Sequence, residues 1–316
     1  MLKKIALEEH FLSPGLIDYW APTVAELKPA AADAMFRALT DLGDARLHMM
    51  ERAGIVRAIL SAAGPGVQAE PVIATALRKA SEANDFLGRE IQKRPHNYLG
   101  FAHLPMQNPA VAADELERCM RDLDFCGALI HGHSQGHYLD EPAFEVFWER
   151  AQALDAPVYL HRAEPLVPSP VLAGYQILRG PGWEAAFETG SHVLRLVFGG
   201  VFDRFPKARI ILGQLGDALP YLLARFDAQA QREGARLQKP PSDYFRDNIF
   251  VTTSGLLAAA PLYCAVAALG PEQVMFGTGY PYERAEHAAH FLDSVRLDEG
   301  LRVDIAYRNA ERVFRL

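Results

Sequence analysis

The chain has 316 residues, 50% hydrophobic, 22% charged and 10% aromatic, proportions that exclude a disordered or fibrous polymer. Thirty-two Lys and Arg against 39 Asp and Glu leave a formal charge of -7, and with no long basic run a nucleic-acid partner is disfavoured. The start Met-Leu-Lys-Lys-Ile-Ala-Leu-Glu-Glu-His meets charge at once, and no apolar run reaches about 18 residues, so neither a secretory leader nor a membrane helix is expected. Cys119, Cys126 and Cys264 form an odd set without Cys-x-x-Cys spacing, which points to reduced thiols and a cytoplasmic setting.

In chain order, β-type runs are expected near Ile5–Leu7, Val56–Ser61, Tyr98–Ala102, Gly127–His131, Pro157–His161, Ile210–Gly213, Ile249–Thr253 and Val274–Phe276. Amphipathic segments such as Ala31–Ala53, Val72–Lys93, Pro109–Leu123, Pro142–Leu154 and Trp183–Phe205 lie between them, with apolar residues at helical spacing. Asn108-Pro109 and Glu141-Pro142 read as helix starts, because proline is tolerated in a first turn. Alternation of about eight strands with helices predicts an α/β fold closed as a (β/α)8 TIM barrel, one domain over residues 1–316. A doubly wound open sheet is the alternative. Pro14–Pro29, Glu164–Pro181 and Gln231–Pro241 read as excursions able to cover the C-terminal face, and a helix near Val303–Phe314 ends the chain, either closing the barrel's end or simply packing.

Barrel sites are assembled at the C-terminal strand ends, so the polar residues there carry the functional reading. The first strand runs into Glu8-Glu9-His10, and residues two apart on a strand share a face, so Glu8 and His10 would meet one centre. The fifth strand ends in His161. Glu8, His10 and His161 thus form a candidate three-ligand site for a divalent metal, zinc or manganese. His131-Gly132-His133-Ser134-Gln135-Gly136-His137 is the densest polar cluster; His131 suits carboxylate binding or proton transfer. The same stretch matches Gly-x-Ser-x-Gly, the hydrolase nucleophile elbow, yet no helix follows at once as that motif requires. Glu9, His48, His96 and His192 are read as structural. Neither a Walker nor a Rossmann glycine pattern occurs, so a nucleotide cofactor has no support.

Ile5-Ala6-Leu7-Glu8-Glu9-His10-Phe11, Asp44-Ala45-Arg46-Leu47 with Met50, Phe101-Ala102-His103-Leu104-Pro105, Gly127-Ala128-Leu129-Ile130, Tyr159-Leu160-His161, Ile211-Leu212-Gly213, Leu219-Pro220-Tyr221, Thr252-Thr253-Ser254-Gly255 and Asn309-Ala310 together resemble the amidohydrolase-related decarboxylases. That group contains the γ-resorcylate, dihydroxybenzoate and aminocarboxymuconate-semialdehyde decarboxylases. The resemblance spans nearly the whole chain. It implies a barrel of the metal-dependent hydrolase type, a homodimer or homotetramer, and one divalent metal that helps remove carboxylate from an aromatic or muconate acid. Glu8, His10 and His161 match three of that family's metal ligands.

Two strand ends depart from the family pattern. Where it has Gly-His-Met-Gly-Glu, this chain has Gly213-Gln214-Leu215-Gly216-Asp217, and where it has Ser-Thr-Asp-Trp/Tyr-Pro, this chain has Gly277-Thr278-Gly279-Tyr280-Pro281. Gln214 does not titrate near neutral pH, and Gly279 removes a carboxylate ligand, which weakens a metal site. Three accounts follow: ligands rebuilt from neighbours such as His103, His131, His133, Asp217 and Glu283; a metal-free reaction; or an inactive subunit partnering a paralogous chain. The expected activity is a carbon–carbon lyase acting on a small aromatic or enolic carboxylic acid, with a metal-free cyclase, dehydratase or isomerase as the alternative. Its expected catalytic residues are His10, His131, His133, Gln214 and Asp217, and its expected substrate contacts are His103, Arg225 and Tyr280. Arginine at 225 suits a planar carboxylate because its fork donates two parallel hydrogen bonds.

Overall fold

The computed structural model describes residues 2–316. Its strands are β1 (Lys4–Phe11), β2 (Ile55–Ala62), β3 (Tyr98–Gly100), β4 (Ala102–His103), β5 (Ala128–His131), β6 (Val158–His161), β7 (Ile210–Leu212), β8 (Ile249–Thr252) and β9 (Val274–Met275). Pairing is parallel from β1 to β3 and from β4 to β9. β3 and β4 are two pieces of one stave. The chain changes partner at Phe101, whose N–H donates to Leu60 O at 2.9 Å, while the next N–H, of Ala102, donates to Gly127 O at 2.8 Å. The ring closes where Leu7 bridges Gly277, with Leu7 N–H to Phe276 O at 3.1 Å and Thr278 N–H to Leu7 O at 3.2 Å. The result is the eight-staved TIM barrel, and the open-sheet alternative is excluded by that closure.

Side chains alternate inward and outward along each stave, so two apolar layers form. Ile5, Leu7, Ile59, Phe101, Leu129, Tyr159, Ile211, Phe250 and Met275 fill the barrel. A larger layer, including Leu60, Ile130, Leu160 and Val251, packs against the surrounding helices. Burial on both sides explains why these strands read as continuous apolar runs.

The terminal helix is more than a lid of convenience. Ala310, Val313 and Phe314 join the inner cluster beside Ile5 and Phe101, and Arg209 Nη1 donates to Val313 O at 3.0 Å beside the start of β7. The chain's end therefore plugs the N-terminal mouth, through a path that includes a π-helical turn at Asp304–Arg308.

The expected helix over residues 31–53 is two helices, Pro29–Thr40 and Asp44–Ala53. The break occurs because Asp41 turns extended and its Oδ1 accepts from Gly43 N–H at 2.6 Å, while Leu42 is drawn into the core and its carbonyl accepts from the Tyr98 hydroxyl. The 183–205 segment likewise divides, into Glu184–Phe198 and Val201–Arg204, at Gly199-Gly200. Of the expected excursions, the one over 164–181 brings Gly180 and Pro181 over the C-terminal mouth. No helix is long and apolar enough to cross a membrane among the described residues.

Candidate active site

The centre begins with an irregularity in β1. Its pairing with β2 shifts register between Ala6 and Glu9, and Glu8 takes a left-handed backbone with φ 58. A bulge therefore aims Glu8, rather than the simple alternation expected from spacing, and such a conformation costs a non-glycine residue about 1 kcal/mol or more. What holds it is visible at the carboxylate. Glu8 Oε2 accepts from the hydroxyls of Tyr159 and Ser254, and Thr252 Oγ1 lies 3.0 Å from the Tyr159 hydroxyl and 2.9 Å from Ser254 Oγ. Oε1 is left facing two imidazoles, with His161 Nε2 at 3.4 Å and His10 Nε2 at 3.9 Å.

His161 offers a lone pair there, and His10 an unpartnered ring nitrogen. His161 Nδ1 donates to the carbonyl of Arg162 at 3.0 Å, and a carbonyl can only accept, so His161 Nε2 is the bare nitrogen. His10 Nδ1 lies 3.3 Å from Ser61 Oγ, while its Nε2 is buried without any hydrogen-bond partner. One oxygen and two nitrogens thus converge, with all ligand atoms within 4.8 Å of one another. An orphaned buried nitrogen beside a free carboxylate oxygen fits a divalent cation, and the hydroxyls and carbonyl behind them are the outer contacts that fix metal ligands. Burial opposes the charge on Glu8, but the two imidazoles beside it, His10 and His161, outweigh that and hold the carboxyl well below its usual range. Burial lowers the pKa of His10 and, with the Glu8 charge, raises that of Tyr159, so the tyrosine stays a donor.

The centre opens into a cavity of about 390 Å³ lined by Glu8, His161, Arg162, Ala163, Glu164, Gly180, Pro181, Ala185, Gln214, Gly255, Gly279, Tyr282 and Glu283. A Cβ placed on Gly279 would lie 3.8 Å from Glu8 Oε1. The glycine brings no side chain of its own to that flank, where the nearest group is the Glu283 side chain, its Cγ 3.6 Å from such a Cβ. A smaller recess adjoins it, sharing Arg162 and Gln214 and adding Asp217. Burial raises the Asp217 carboxyl to about 6, against the opposing pull of Arg162.

Of the other expected site residues, His131 lies behind the centre. Its Nε2 donates to Ala62 O at 3.1 Å, leaving Nδ1 as an acceptor 3.4 Å from His161 Nδ1. Burial keeps it neutral by lowering its pKa well below the usual value. His131 is placed to orient His161, and it does not line the cavity. His103 is also interior. Its Nε2 accepts from Val67 N–H at 2.9 Å, and burial lowers its pKa to about 4. His133 is held in its own loop by Gly136 N–H and Glu164 O. Gln214 lines the cavity as expected, with its side-chain amide unpartnered within the protein.

Arg225 is exposed on the helix Leu219–Glu233 and does not line the cavity. Tyr280 packs against the Arg46 guanidinium, 4.8 Å from its ring, and the neighbouring cavity wall is Tyr282. Ser134, the serine of the elbow-like match, accepts from Gln68 Nε2 within a tight turn and opens no helix. Glu9 is wholly buried behind β1, hydrogen-bonded by Thr278, with burial raising its pKa to about 7. Its structural reading holds, as does that of His192, which accepts from Leu139 N–H. Sequence reasoning missed Tyr159, Ser254, Arg162 and Tyr282. Tyr159 carried a signal, as a polar residue on an inward-facing position of an otherwise apolar stave, whereas Ser254 lies in the turn beyond β8.

An eight-staved barrel with Glu and His at the end of its first strand and His at the end of its fifth stave brings together, at its C-terminal mouth, three groups able to hold a metal ion. The family model described as amidohydrolase matches residues 18–316. A γ-resorcylate decarboxylase of Rhizobium sp. (strain MTP-10005) is 38% identical over 340 residues, covering 100% of this chain and 99% of the relative. Among solved structures, 2,6-dihydroxybenzoate decarboxylase complexed with 2,6-dihydroxybenzoate superposes with a TM-score of 0.95 at 37% identity, covering 100% of both chains. A dihydroxybenzoic acid decarboxylase from Polaromonas sp. JS666, with bound manganese and the inhibitor 2-nitroresorcinol, gives 0.93 at 37% identity over 100% of this chain and 98% of that one. The chain belongs to the amidohydrolase family, among its carbon–carbon lyases of the decarboxylase type.

Proposed function

We propose that this protein is a single-domain non-oxidative decarboxylase of a small aromatic carboxylic acid of the 2,6-dihydroxybenzoate kind, working with one divalent metal, manganese or zinc, held by Glu8, His10 and His161. The observation that carries the metal is the buried, partnerless Nε2 of His10 facing Glu8 Oε1 and the bare Nε2 of His161. When bound, the metal supplies a Lewis acid for a phenolic or carboxylate oxygen. The chain's own residues do the rest. Tyr159 and Ser254 hold Glu8 in place, and Arg162 O and His131 orient His161.

Losing carbon dioxide from an aromatic ring requires a proton at the carbon that bears the carboxylate; the C–C bond then breaks and its electron pair restores the ring. Asp217 is assigned the proton, because its carboxyl, raised to about 6, can hold one near neutrality and because Gln214 cannot. The departing proton is replaced from solvent at the mouth.

A metal-free lyase is the second reading, favoured by Gly279, which brings no carboxylate of its own to its place beside Glu8. Metal analysis separates the two. Protein purified without chelator should hold near one equivalent, lost in an E8A/H161A double variant, and should decarboxylate 2,6-dihydroxybenzoate. Substoichiometric metal unchanged by that double substitution would overturn the first reading in favour of the second. Val171, Ile177 and Tyr221 are more than 80% exposed, an apolar display that supports a homo-oligomer, dimer or tetramer.

A further inference from the structure

We propose that Arg162, with the amide of Gln214 beside it, is the carboxylate-binding element of the cavity. The inference rests on the proposed aromatic-acid substrate and adds where its carboxylate is held.

A carboxylate entering this cavity meets mostly the wrong charge. Glu8, Glu164 and Glu283 all line it, and Arg162 is the one Lys or Arg among the lining residues. Arg225, the arginine that the sequence nominates, is exposed and lies outside the lining. Arg162 follows His161 directly, so the end of β6 delivers a metal-ligand candidate and a cation to one wall.

The guanidinium is tethered but unspent. Arg162 Nη1 donates to Pro181 O at 2.8 Å, in the segment that roofs the mouth. Nε and Nη2 have no partner, and Arg162 forms no ion pair among the described residues. A half-buried arginine with two free N–H directions matches a planar carboxylate, whose two oxygens accept parallel hydrogen bonds.

Gln214 supplies the third donor. It is 5% exposed, its backbone N–H is used by Ser254 O, and its side-chain amide makes no hydrogen bond within the protein. A Cβ on Gly255 would come within 2.9 Å of Gln214 Nε2, so glycine there is what leaves the amide its place. Arg162 and Gln214 are also the two residues shared with the recess that contains Asp217. A carboxylate gripped by this pair sits on the side of the cavity from which Asp217 acts.

The test is equilibrium binding by calorimetry to protein loaded with manganese, comparing 2,6-dihydroxybenzoate with resorcinol, the same ring without its carboxylate. Arg162→Gln should weaken 2,6-dihydroxybenzoate by about tenfold or more and leave resorcinol within about twofold. R162K should fall between, because a point charge replaces a fork, and R225Q should bind like the wild type. In turnover, R162Q should raise KM more than it lowers kcat. Equal losses for both ligands would mark a merely structural arginine, and unchanged affinity for the acid would exclude the clamp; either overturns the proposal and leaves the decarboxylase reading standing. A wild-type protein that binds neither ring overturns both.

Discussion

At the scale of single residues, the centre depends on groups that never touch the substrate. Glu8 presents Oε1 only because Tyr159 and Ser254 occupy Oε2. Y159F should therefore weaken manganese about tenfold to a hundredfold, measured by competition with a chromogenic chelator, with little change in fold; an unaltered affinity would show that the bulge alone aims the carboxylate. Asp217 offers a pH readout with a definite sign. Its folded pKa, about 6, lies above the ordinary 3.8, so its contribution to stability is present below about pH 4 and is lost as pH rises through 6. Urea midpoints of D217N should show a flatter profile than wild type over that window, the two diverging by about 1–2 kcal/mol once solvent screening is allowed for. As the proposed proton donor, it should also make kcat decline above about pH 6, and D217N should lose most of kcat with a small change in KM. A D217N protein with normal kcat would remove Asp217 from the chemistry.

At the scale of elements, the strand ends are set by backbone devices beyond the reach of composition. The eight β-type runs, the parallel order and the convergence of Glu8, His10 and His161 on one centre were legible, because apolar runs ending in histidine or carboxylate leave a sequence signal. The bulge that places Glu8 was not, since its cause lies in residues 159 and 254, which approach only in three dimensions. The surroundings of Tyr280 were hidden for a similar reason: Arg46, buried on the helix Asp44–Ala53, packs against its ring. The loop after β2 shows the tightest fit of this kind. A Cβ on Gly66 would stand 2.3 Å from His103 Nε2 on a backbone of φ 55, so G66A must displace the imidazole and strain the turn. It should cost about 2–4 kcal/mol, seen as a lowered Tm, whereas an unchanged Tm would mean the loop moves freely.

At the scale of the whole molecule, the final helix is part of the barrel's inner core. Val313 and Phe314 lie against Ile5 and Phe101 inside the N-terminal mouth. V313D should destabilise the protein by about 3 kcal/mol or more, by burying an unpaired carboxylate, and light scattering should show whether assembly is lost with it. A fully stable V313D would place the plug outside the cooperative unit. The active centre lies at the opposite end of the barrel, so the two ends can vary separately: one carries chemistry and the other cohesion.

The seam between β1 and β9 has a consequence in time. It consists of one bridge at Leu7 and Gly277 with two flanking hydrogen bonds and a third from His10 N–H to Tyr280 O, joining residues some 270 positions apart. Glu8 lies within that seam, and its two hydroxyl partners come from β6 and from the turn after β8. Contacts of such long sequence separation form late, because loop closure must precede them. Metal capture would then act as a clock for folding, starting only when the last stave docks against the first.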